Sequence, residues 1–346
     1  MKTNRNDTRR EFLRKLIAGT SLMGIAPYLN PLTAISETTK KGGLPKRPLG
    51  KTGYDVGIYS LGAQATVEQF GRKDEAIAIV NRAIDLGINY IDTAAAYGQD
   101  NTGEKRIKRM GTSEQHVGEV MKTRRKEVFL ASKTHDRTYD GSMKLLEKSL
   151  KNLQTDHLDL WQIHNVKSKD REDISEILKD DGAVKALEKA RSEGMVKFVG
   201  VTGHMDTAPL KFIIERYPFD NLLVALNAAD KHHNSFIDKL LPIAVEKEMG
   251  IVGMKIPARD RIFSKGGIIT MKEAMDYTLS LPISTIIIGI DNITELEENI
   301  KIAKEFEPLS VDEMLAIEDK VKPHYEHLMF YKGLSNWPPE WSGNDV

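Results

Sequence analysis

Short apolar stretches alternate with amphipathic stretches along most of the chain, starting at residue 58. The apolar stretches are rich in Val and Ile and lack a polar face, which is typical of parallel strands that are covered on both sides. This pattern predicts eight strands: Ile58 to Leu61, Tyr90 to Asp92, Val128 to Ala131, Leu158 to Ile163, Phe198 to Val201, Leu222 to Leu226, Ile251 to Gly253, and Thr285 to Ile288.

The stretches between these strands carry apolar residues at helical spacing. One apolar stripe contains Ala76, Ile77, Val80, Ala83 and Ile84, and another contains Leu146, Leu150 and Leu153. The same spacing predicts helices over Ile174 to Ser192, Ala208 to Arg216, Phe236 to Glu248, Met271 to Ser280, and Glu295 to Lys304. Gly87 and Gly194 lie just past the predicted ends of two helices, where glycine commonly ends a helix.

An alternation of eight strands with helices over about 250 residues predicts an α/β fold, the (β/α)8 or TIM barrel. A doubly wound open sheet is the alternative, but no Gly-x-Gly-x-x-Gly follows the first strand. Arg47 to Val56 reads as a β-hairpin with glycines in its turn. We therefore expect a barrel domain over residues 47–330, with the hairpin at its start and a helix at its end.

Two segments interrupt this alternation. Gln99 to Gly111 is basic, polar and follows Tyr97, so we expect it at the mouth of a site. The tail, residues 331–346, contains two of the three Trp residues and is a candidate flap over one face of the barrel.

The N-terminal residues resemble an export signal. Arg9-Arg10 is followed by Phe-Leu and by an uncharged apolar stretch that ends near Leu29, and Ala34-Ile35-Ser36 offers a cleavage site. The apolar stretch is too short for a stable membrane span. We expect a twin-arginine signal over residues 1–36, a linker over 37–46, and a periplasmic protein that uses the twin-arginine export machinery. A chance arginine pair in a cytoplasmic protein is the alternative.

Composition excludes several classes of function. Lys+Arg and Asp+Glu number 50 each, so no global positive field exists to attract nucleic acid. The chain has no cysteine, which excludes disulfides, thiolate catalysis and cysteine-ligated metals. His232 and His233 lie near Asp230, but adjacent residues rarely face one ion, so we expect a surface loop and no metal.

Four residues with complementary chemistry stand at or just past predicted strand ends: Asp92, Tyr97, Lys133 and His164. A barrel gathers the C-terminal ends of its strands on one face, where such barrels do their chemistry. An ammonium stabilises a phenolate, a carboxylate balances a buried ammonium, and an imidazole hydrogen-bonds a carbonyl. Together they would protonate an oxygen while a hydride reaches the adjoining carbon. Because no side chain supplies a hydride, the chemistry implies a nicotinamide cofactor.

The motifs Asp92-Thr93-Ala94 with Tyr97-Gly98, Ser132-Lys133 and Gln162-Ile163-His164 resemble those of the aldo-keto reductases, over residues 47–306. The resemblance implies NAD(P)H-dependent reduction of aldehydes or ketones, or the reverse oxidation, and a hairpin that plugs the barrel bottom. It implies that Tyr97 donates the proton, that Lys133 and Asp92 tune it, and that His164 orients the carbonyl.

The resemblance also implies where the cofactor binds. Thr202 and Asn227 would meet the nicotinamide carboxamide, Gly62 and Gln64 would line the pocket after the first strand, and Lys255 would serve the phosphates. The residues that would hold the adenosine end are Gly289, Glu298 and Asn299.

The chain departs from the family pattern at three places. Thr202-Gly203 stands where Ser-Asn is common, and Asn227 replaces a glutamine. Asp291 and Glu295 stand where many members carry basic residues for a 2′-phosphate. Carboxylates there would repel that phosphate and accept from a ribose hydroxyl, which favours NAD(H) over NADP(H).

Two other functions remain open at this point. Lys133 could form a Schiff base in an aldolase-like barrel, although Tyr97 and the nucleotide motif would then be unexplained. The second possible function is a non-catalytic barrel that binds nucleotide and regulates a partner. For the substrate, His204, Lys231, Arg259 and Arg261 predict a polar mouth that suits hydroxylated or anionic carbonyl compounds such as sugars.

Overall fold

The computed structural model of the protein describes residues 43–99, 109–166, 171–264 and 266–333. The predicted signal segment, residues 37–42 of the linker, and residues 334–346 of the tail lie outside these ranges. So does most of the predicted insertion after Tyr97, namely residues 100–108.

Eight parallel strands form a closed barrel, and a two-stranded antiparallel hairpin precedes it. The hairpin consists of β1 (Lys46–Pro48) and β2 (Asp55–Gly57). The predicted (β/α)8 barrel is confirmed, with β10 closing against β3. The barrel strands are β3 (Tyr59–Ala65), β4 (Tyr90–Asp92), β5 (Phe129–Thr134), β6 (Leu158–Ile163), β7 (Val196–Gly203), β8 (Asn221–Ala225), β9 (Gly250–Met254) and β10 (Thr285–Ile290).

Most of the observed strands run one to four residues beyond the predicted limits. The added residues include Ser132, Lys133 and Thr134 at the end of β5, which continue the ladder with β6 although they are polar. The backbone ladder therefore reaches past the apolar core, and it carries polar side chains to the C-terminal face of the barrel.

Helices surround the barrel in the expected alternation. None of those in the described ranges combines the length and the apolarity that crossing a membrane would require. They are α1 (Lys73–Asp85), α2 (Thr112–Arg124), α3 (Tyr139–Leu153), α4 (Arg171–Leu178), α5 (Ala183–Ser192), α6 (Thr207–Arg216), α7 (Phe236–Lys239), α8 (Leu241–Glu246), α9 (Met271–Leu279), α10 (Ile293–Lys304), α11 (Val311–Val321) and α12 (Tyr325–Leu328).

Two predicted single helices are each split in two. The prediction over Ile174 to Ser192 is wrong because the chain turns at Gly182, where a Cβ would lie 2.2 Å from the carbonyl oxygen of Glu176. The prediction over Phe236 to Glu248 is wrong because Pro242 lies at the start of α8. Proline has no N–H to continue the preceding helix, so a new helix begins there.

The hairpin plugs the N-terminal end of the barrel, as expected. Its turn lies against the start of β9: the Lys51 N–H donates to the Glu248 carbonyl oxygen at 2.9 Å. Gly50 has φ +52°, and a Cβ there would lie 2.3 Å from the backbone nitrogen of Gly250, so this contact requires glycine. Leu49 is fully buried between them.

Candidate active site

The four candidate residues meet at the C-terminal end of neighbouring strands. Asp92 is the last residue of β4, Lys133 is near the end of β5, and His164 directly follows β6. Tyr97 lies in the loop after β4, and its carbonyl oxygen accepts from Gly111 N at 3.1 Å, at the N-terminus of α2. The parallel ladder thus brings together side chains that are far apart in the sequence.

The Lys133 ammonium is the centre of the arrangement. Its Nζ donates to the Asp92 carboxylate, to the carbonyl oxygen of Thr93 at 2.8 Å, and to the Tyr97 hydroxyl at 3.1 Å. Asp92, Tyr97 and Lys133 are all buried. Burial opposes the ammonium, but Asp92 and Tyr97 outweigh it, so the pKa of Lys133 lies above its ordinary value. Lys133 therefore stays charged beside the phenol.

Gln162 holds the other oxygen of Asp92 and was not among the predicted site residues. Its Nε2 donates to Asp92 Oδ2 at 3.0 Å from within β6, where it is fully buried. Gly200 on β7 leaves room for it, since a Cβ there would lie 3.0 Å from the Gln162 Cγ. A polar residue inside an apolar strand is the sequence signal that identifies Gln162.

Tyr97 keeps its proton in the protein alone. Burial raises the pKa of the phenol above its ordinary value of 10.0, and the nearby Lys133 opposes that rise without cancelling it. The stabilising effect of the ammonium that the sequence predicts is present, but burial outweighs it in the protein alone. A protonated phenol next to a fixed cation suits a proton donor, because the cation stabilises the phenolate that donation leaves behind.

His164 lies beside Tyr97 as a neutral imidazole. The two rings meet edge to face, with centroids 5.7 Å apart and an interplanar angle of 81°. Burial lowers the pKa of His164 well below its ordinary value, and the charge of Lys133 adds to this effect. A neutral imidazole carries one N–H, which can donate to a substrate oxygen.

One cleft of about 640 Å³ connects this tetrad to the end of the barrel at β10. Asp92 and Tyr97 line it at one end, and its volume suits a small-molecule site. Six of the eight predicted cofactor residues line the same cleft: Gly62, Gln64, Lys255, Gly289, Glu298 and Asn299.

Thr202 and Asn227, the two predicted carboxamide contacts, differ in what they can offer. Neither residue is among those that line the cleft, although the Thr202 hydroxyl is buried and has no hydrogen-bond partner in the described part of the chain. Asn227 is engaged instead: its Nδ2 donates to the Lys255 carbonyl at 3.0 Å and to the Tyr331 hydroxyl at 2.8 Å. Its Oδ1 accepts from Ala229 N at 3.0 Å.

Carboxylates line the cleft where α10 begins. Asp291 and Glu295 both face it. Glu295 Oε2 accepts from Asp291 N, and Glu295 Oε1 accepts from the side chain of Asn292, each at 3.0 Å. The helix itself is capped by Asn292, whose Oδ1 accepts from Glu295 N at 3.0 Å, and the Glu295 carboxylate places a negative charge beside the helix N-terminus.

Of the four residues predicted to form a polar mouth, only Arg259 is among those that line the cleft. Lys231 is buried in an ion pair with Asp238. The Arg261 guanidinium lies 4.3 Å from the centroid of the Phe330 ring. His204 lies close enough to His164 to lower its pKa.

The segment with His232 and His233, predicted as a surface loop, contacts helix α11. His232 Nε2 lies 2.8 Å from the Glu318 carbonyl oxygen. Among the residues whose placement is described, no group of three or more His, Asp and Glu side chains could hold a metal ion.

Comparison with known proteins agrees with this geometry. The model of the aldo/keto reductase family matches residues 56–258. L-galactose dehydrogenase of Arabidopsis thaliana is 27% identical over 77% of this chain and 90% of that protein.

Solved structures share the fold. The holo form of aldo-keto reductase AKR11C1 from Bacillus halodurans has a TM-score of 0.65 and 22% identity over 80% of this chain and 95% of its own. An aldo-keto reductase from Klebsiella pneumoniae in complex with NADPH has a TM-score of 0.63 and 22% identity, covering 79% and 94%.

Proposed function

Because this chain belongs to the aldo/keto reductase family, we propose that it transfers a hydride between a nicotinamide cofactor and the carbonyl carbon of a small hydroxylated aldehyde or ketone. When bound, the reduced nicotinamide supplies the hydride. The residues of the chain bind and orient the two reactants and supply the proton. The observation that carries the proposal is the Lys133 contact to Tyr97 in the cleft that continues to Glu298 and Asn299.

Each member of the tetrad has a defined task in this proposal. The Tyr97 hydroxyl gives its proton to the substrate oxygen as the carbonyl becomes an alcohol. Lys133 donates to the phenolate oxygen that remains, and Asp92 with Gln162 keeps the ammonium in place. The neutral His164 imidazole donates an N–H to the same substrate oxygen and so fixes its direction. In the oxidation direction the same residues work in reverse.

Different residues along the cleft would bind different parts of the cofactor. Thr202 offers its unsatisfied hydroxyl to the carboxamide, and Gly62 and Gln64 line the nicotinamide end. A Cβ at Gly62 would lie 3.3 Å from the backbone of Ile288, so glycine allows the two strands to pack closely there. Lys255 serves the phosphates, and Gly289, Glu298 and Asn299 hold the adenosine end. Asn227 acts on this end of the cleft indirectly, through the Lys255 carbonyl.

The test is the transfer of label from cofactor to product. NADH and NADPH deuterated at C4 are incubated with the protein and a panel of aldoses, ketoses and simple aldehydes. The proposal predicts deuterium on the new carbinol carbon of at least one hydroxylated substrate. Nucleotide binding without label in any product would favour the non-catalytic regulatory barrel, and trapping of a Lys133 adduct by borohydride would favour the Schiff-base enzyme.

A sugar-like substrate is the finer proposal. It is supported by Arg259 in the cleft, by His204 near His164, and by the similarity to a protein named L-galactose dehydrogenase. Aldoses should then give a higher kcat/KM than aliphatic aldehydes of the same length. Equal values for both classes would contradict this choice of substrate.

We further propose NAD(H) as the preferred cofactor. Asp291 and Glu295 would face the 2′-position of the adenosine ribose, where carboxylates accept from a hydroxyl and repel a phosphate. Titration of the protein with NADH and NADPH by fluorescence compares the two directly. A lower Kd for NADPH than for NADH would overturn this preference. NADP(H) is the alternative cofactor, because a structure similar to this chain was solved in complex with NADPH.

Export by the twin-arginine route is also a proposal. In it, residues 1–36 are the signal, 37–46 a linker, 47–330 the barrel domain and 331–346 the tail. Because free nicotinamide is scarce outside the cytoplasm, the exported enzyme would carry its cofactor bound and recycle it with a second substrate. Changing Arg9 and Arg10 together to Lys should keep the protein in the cytoplasm, and wild-type protein from the exported fraction should contain nicotinamide.

A further inference from the structure

Two arginines bridge β5 and β6 at opposite ends of the barrel. Arg137 follows β5 at the C-terminal face, and its guanidinium donates to the carbonyl oxygens of His164 at 2.8 Å and Asn165 at 3.0 Å. Arg125 precedes β5 at the other end, where it donates to the carbonyl oxygens of Val128 and His157, each at 3.0 Å. Both side chains link the two strands through carbonyl oxygens, but Arg125 also pairs with Asp159, and only Arg137 makes its bridge at the tetrad.

The Arg137 bridge fixes the backbone that carries His164. On one side of this residue, the His164 N–H donates to the Thr134 carbonyl oxygen at 2.7 Å. On the other side, the guanidinium holds two consecutive carbonyl oxygens, those of His164 and Asn165. Asn165 has φ +96°, a conformation that L side chains rarely adopt and that the surroundings must maintain. The direction of the imidazole depends on this backbone, because the side chain leaves from it.

Arg137 is also one of several basic groups that surround the His164 imidazole. The groups that face His164 are Lys133 from β5, His135 and Arg137 after β5, His204 after β7, and the Tyr97 ring. Burial is the main cause of the lowered pKa of His164, and the charge of Arg137 adds a smaller contribution in the same direction. A neutral imidazole is the form that suits the tetrad, as described above.

We propose that Arg137 is a positioning residue for His164, which it holds in place through the carbonyl oxygens of His164 and Asn165. The guanidinium touches neither substrate nor cofactor in this role. A planar fork can span two neighbouring carbonyls, whereas a lysine ammonium in its place would retain the charge but lose the fork. The functional consequence rests on the proposed role of His164 in orienting the carbonyl.

The experiment compares Arg137→Met and Arg137→Lys with a matched control, Arg125→Met. Two readouts are used: the NMR titration of His164, assigned by comparison with His164→Asn, and kcat/KM against pH with the best substrate. Arg137→Met should raise the pKa of His164 and lower kcat/KM by about 10- to 100-fold, because a misdirected group loses its alignment. Arg137→Lys should keep the pKa low and recover part of the activity.

The control separates positioning from stability. Arg125→Met should lower the melting temperature but leave the His164 titration and kcat/KM unchanged. The proposal is overturned if folded Arg137→Met shows wild-type titration and wild-type kcat/KM, or if Arg125→Met changes both as much as Arg137→Met does. If wild-type protein turned over no substrate, the proposed function would fail, yet the titration of His164 would still decide whether Arg137 acts on it.

Discussion

The Lys133 ammonium lies 3.1 Å from the Tyr97 hydroxyl and contacts the Asp92 carboxylate with the same nitrogen. One buried cation therefore serves two anionic partners, the permanent carboxylate and the phenolate that forms when Tyr97 gives up its proton. Because all three groups are buried, water weakens this interaction less than it weakens an ion pair at the surface.

Replacement of Lys133 by Met should affect both rate and stability. The phenolate loses its cation, so kcat should fall by about 10²- to 10⁴-fold. Asp92 is left buried without its counter-ion, which should lower the free energy of unfolding by about 3–5 kcal/mol. Steady-state kinetics and urea unfolding measure the two effects. Lys197→Met is the control, because the Lys197 side chain is exposed and its partner Asp159 keeps an ion pair with Arg125, so this change should cost less than about 1 kcal/mol.

The pH dependence should differ between the two reaction directions. Reduction needs the proton on Tyr97, and the pKa of this phenol is raised above 10.0, so kcat/KM for reduction should stay level through neutral and mildly alkaline pH. Oxidation needs the deprotonated phenol, so its rate should rise as the pH rises. His164 stays neutral across this range because its pKa lies well below 6.5. A loss of reduction with a midpoint near about pH 7 would contradict this assignment.

Changing Glu295 should alter the choice of cofactor. Glu295→Gln keeps an oxygen that can accept from Asp291 N but removes the charge, so the preference for NADH over NADPH should shrink. Glu295→Arg should shift the ratio of kcat/KM values towards NADPH by about tenfold or more, since an arginine binds phosphate through a charge-assisted pair. Glu297→Gln is the control, because Glu297 pairs with Arg82. An unchanged ratio in Glu295→Arg would contradict the proposed adenosine site.

The C-terminal segment is anchored by a buried ion pair that can be tested separately. Lys332 Nζ contacts the Asp230 carboxylate and donates to the carbonyl oxygens of Asn234 at 2.9 Å and His233 at 3.1 Å. Lys332→Met should lower the free energy of unfolding by about 3–5 kcal/mol, because it leaves Asp230 buried and charged. The double variant with Asp230→Asn should recover part of this loss.

Thermal and urea unfolding give the values, and Lys320→Met is the matched control. Lys320 pairs with Glu273 at the surface and should contribute about 0–1 kcal/mol. Equal losses in Lys332→Met and Lys320→Met would contradict the importance of the buried pair.

The strands and the position of the tetrad could be predicted because their signals are local. An apolar run followed at once by a polar residue, as at Asp92 or His164, marks a strand end without any knowledge of the fold. Parallel closure then places such ends on one face. The sequence cannot show which polar atoms meet. The hydrogen bond from the Asn227 side chain to the Tyr331 hydroxyl could therefore not be predicted.

The features that sequence analysis missed are polar groups satisfied by distant partners. Helix α2 buries Ser113, Glu114 and His116 in its first turns, and apolar residues are buried only from Val117 onwards, so no apolar stripe marks the start of this helix. Those side chains reach the carbonyl oxygens of Ala63 and Val67 and the hydroxyl of Ser132. Arg137 was missed for the same reason, since its partners are backbone oxygens from another strand end.

Hydride transfer in a single turnover, compared between Tyr97→Phe and Tyr90→Phe, tests the central claim most directly. Tyr90 is the matched control because its hydroxyl is buried and has no hydrogen-bond partner within the residues that the structure describes. With deuterated cofactor already bound, Tyr97→Phe should transfer the label about 10²- to 10⁴-fold more slowly than wild type, while its cofactor Kd and the rate of Tyr90→Phe stay close to wild type. Transfer at the wild-type rate by Tyr97→Phe would contradict the account.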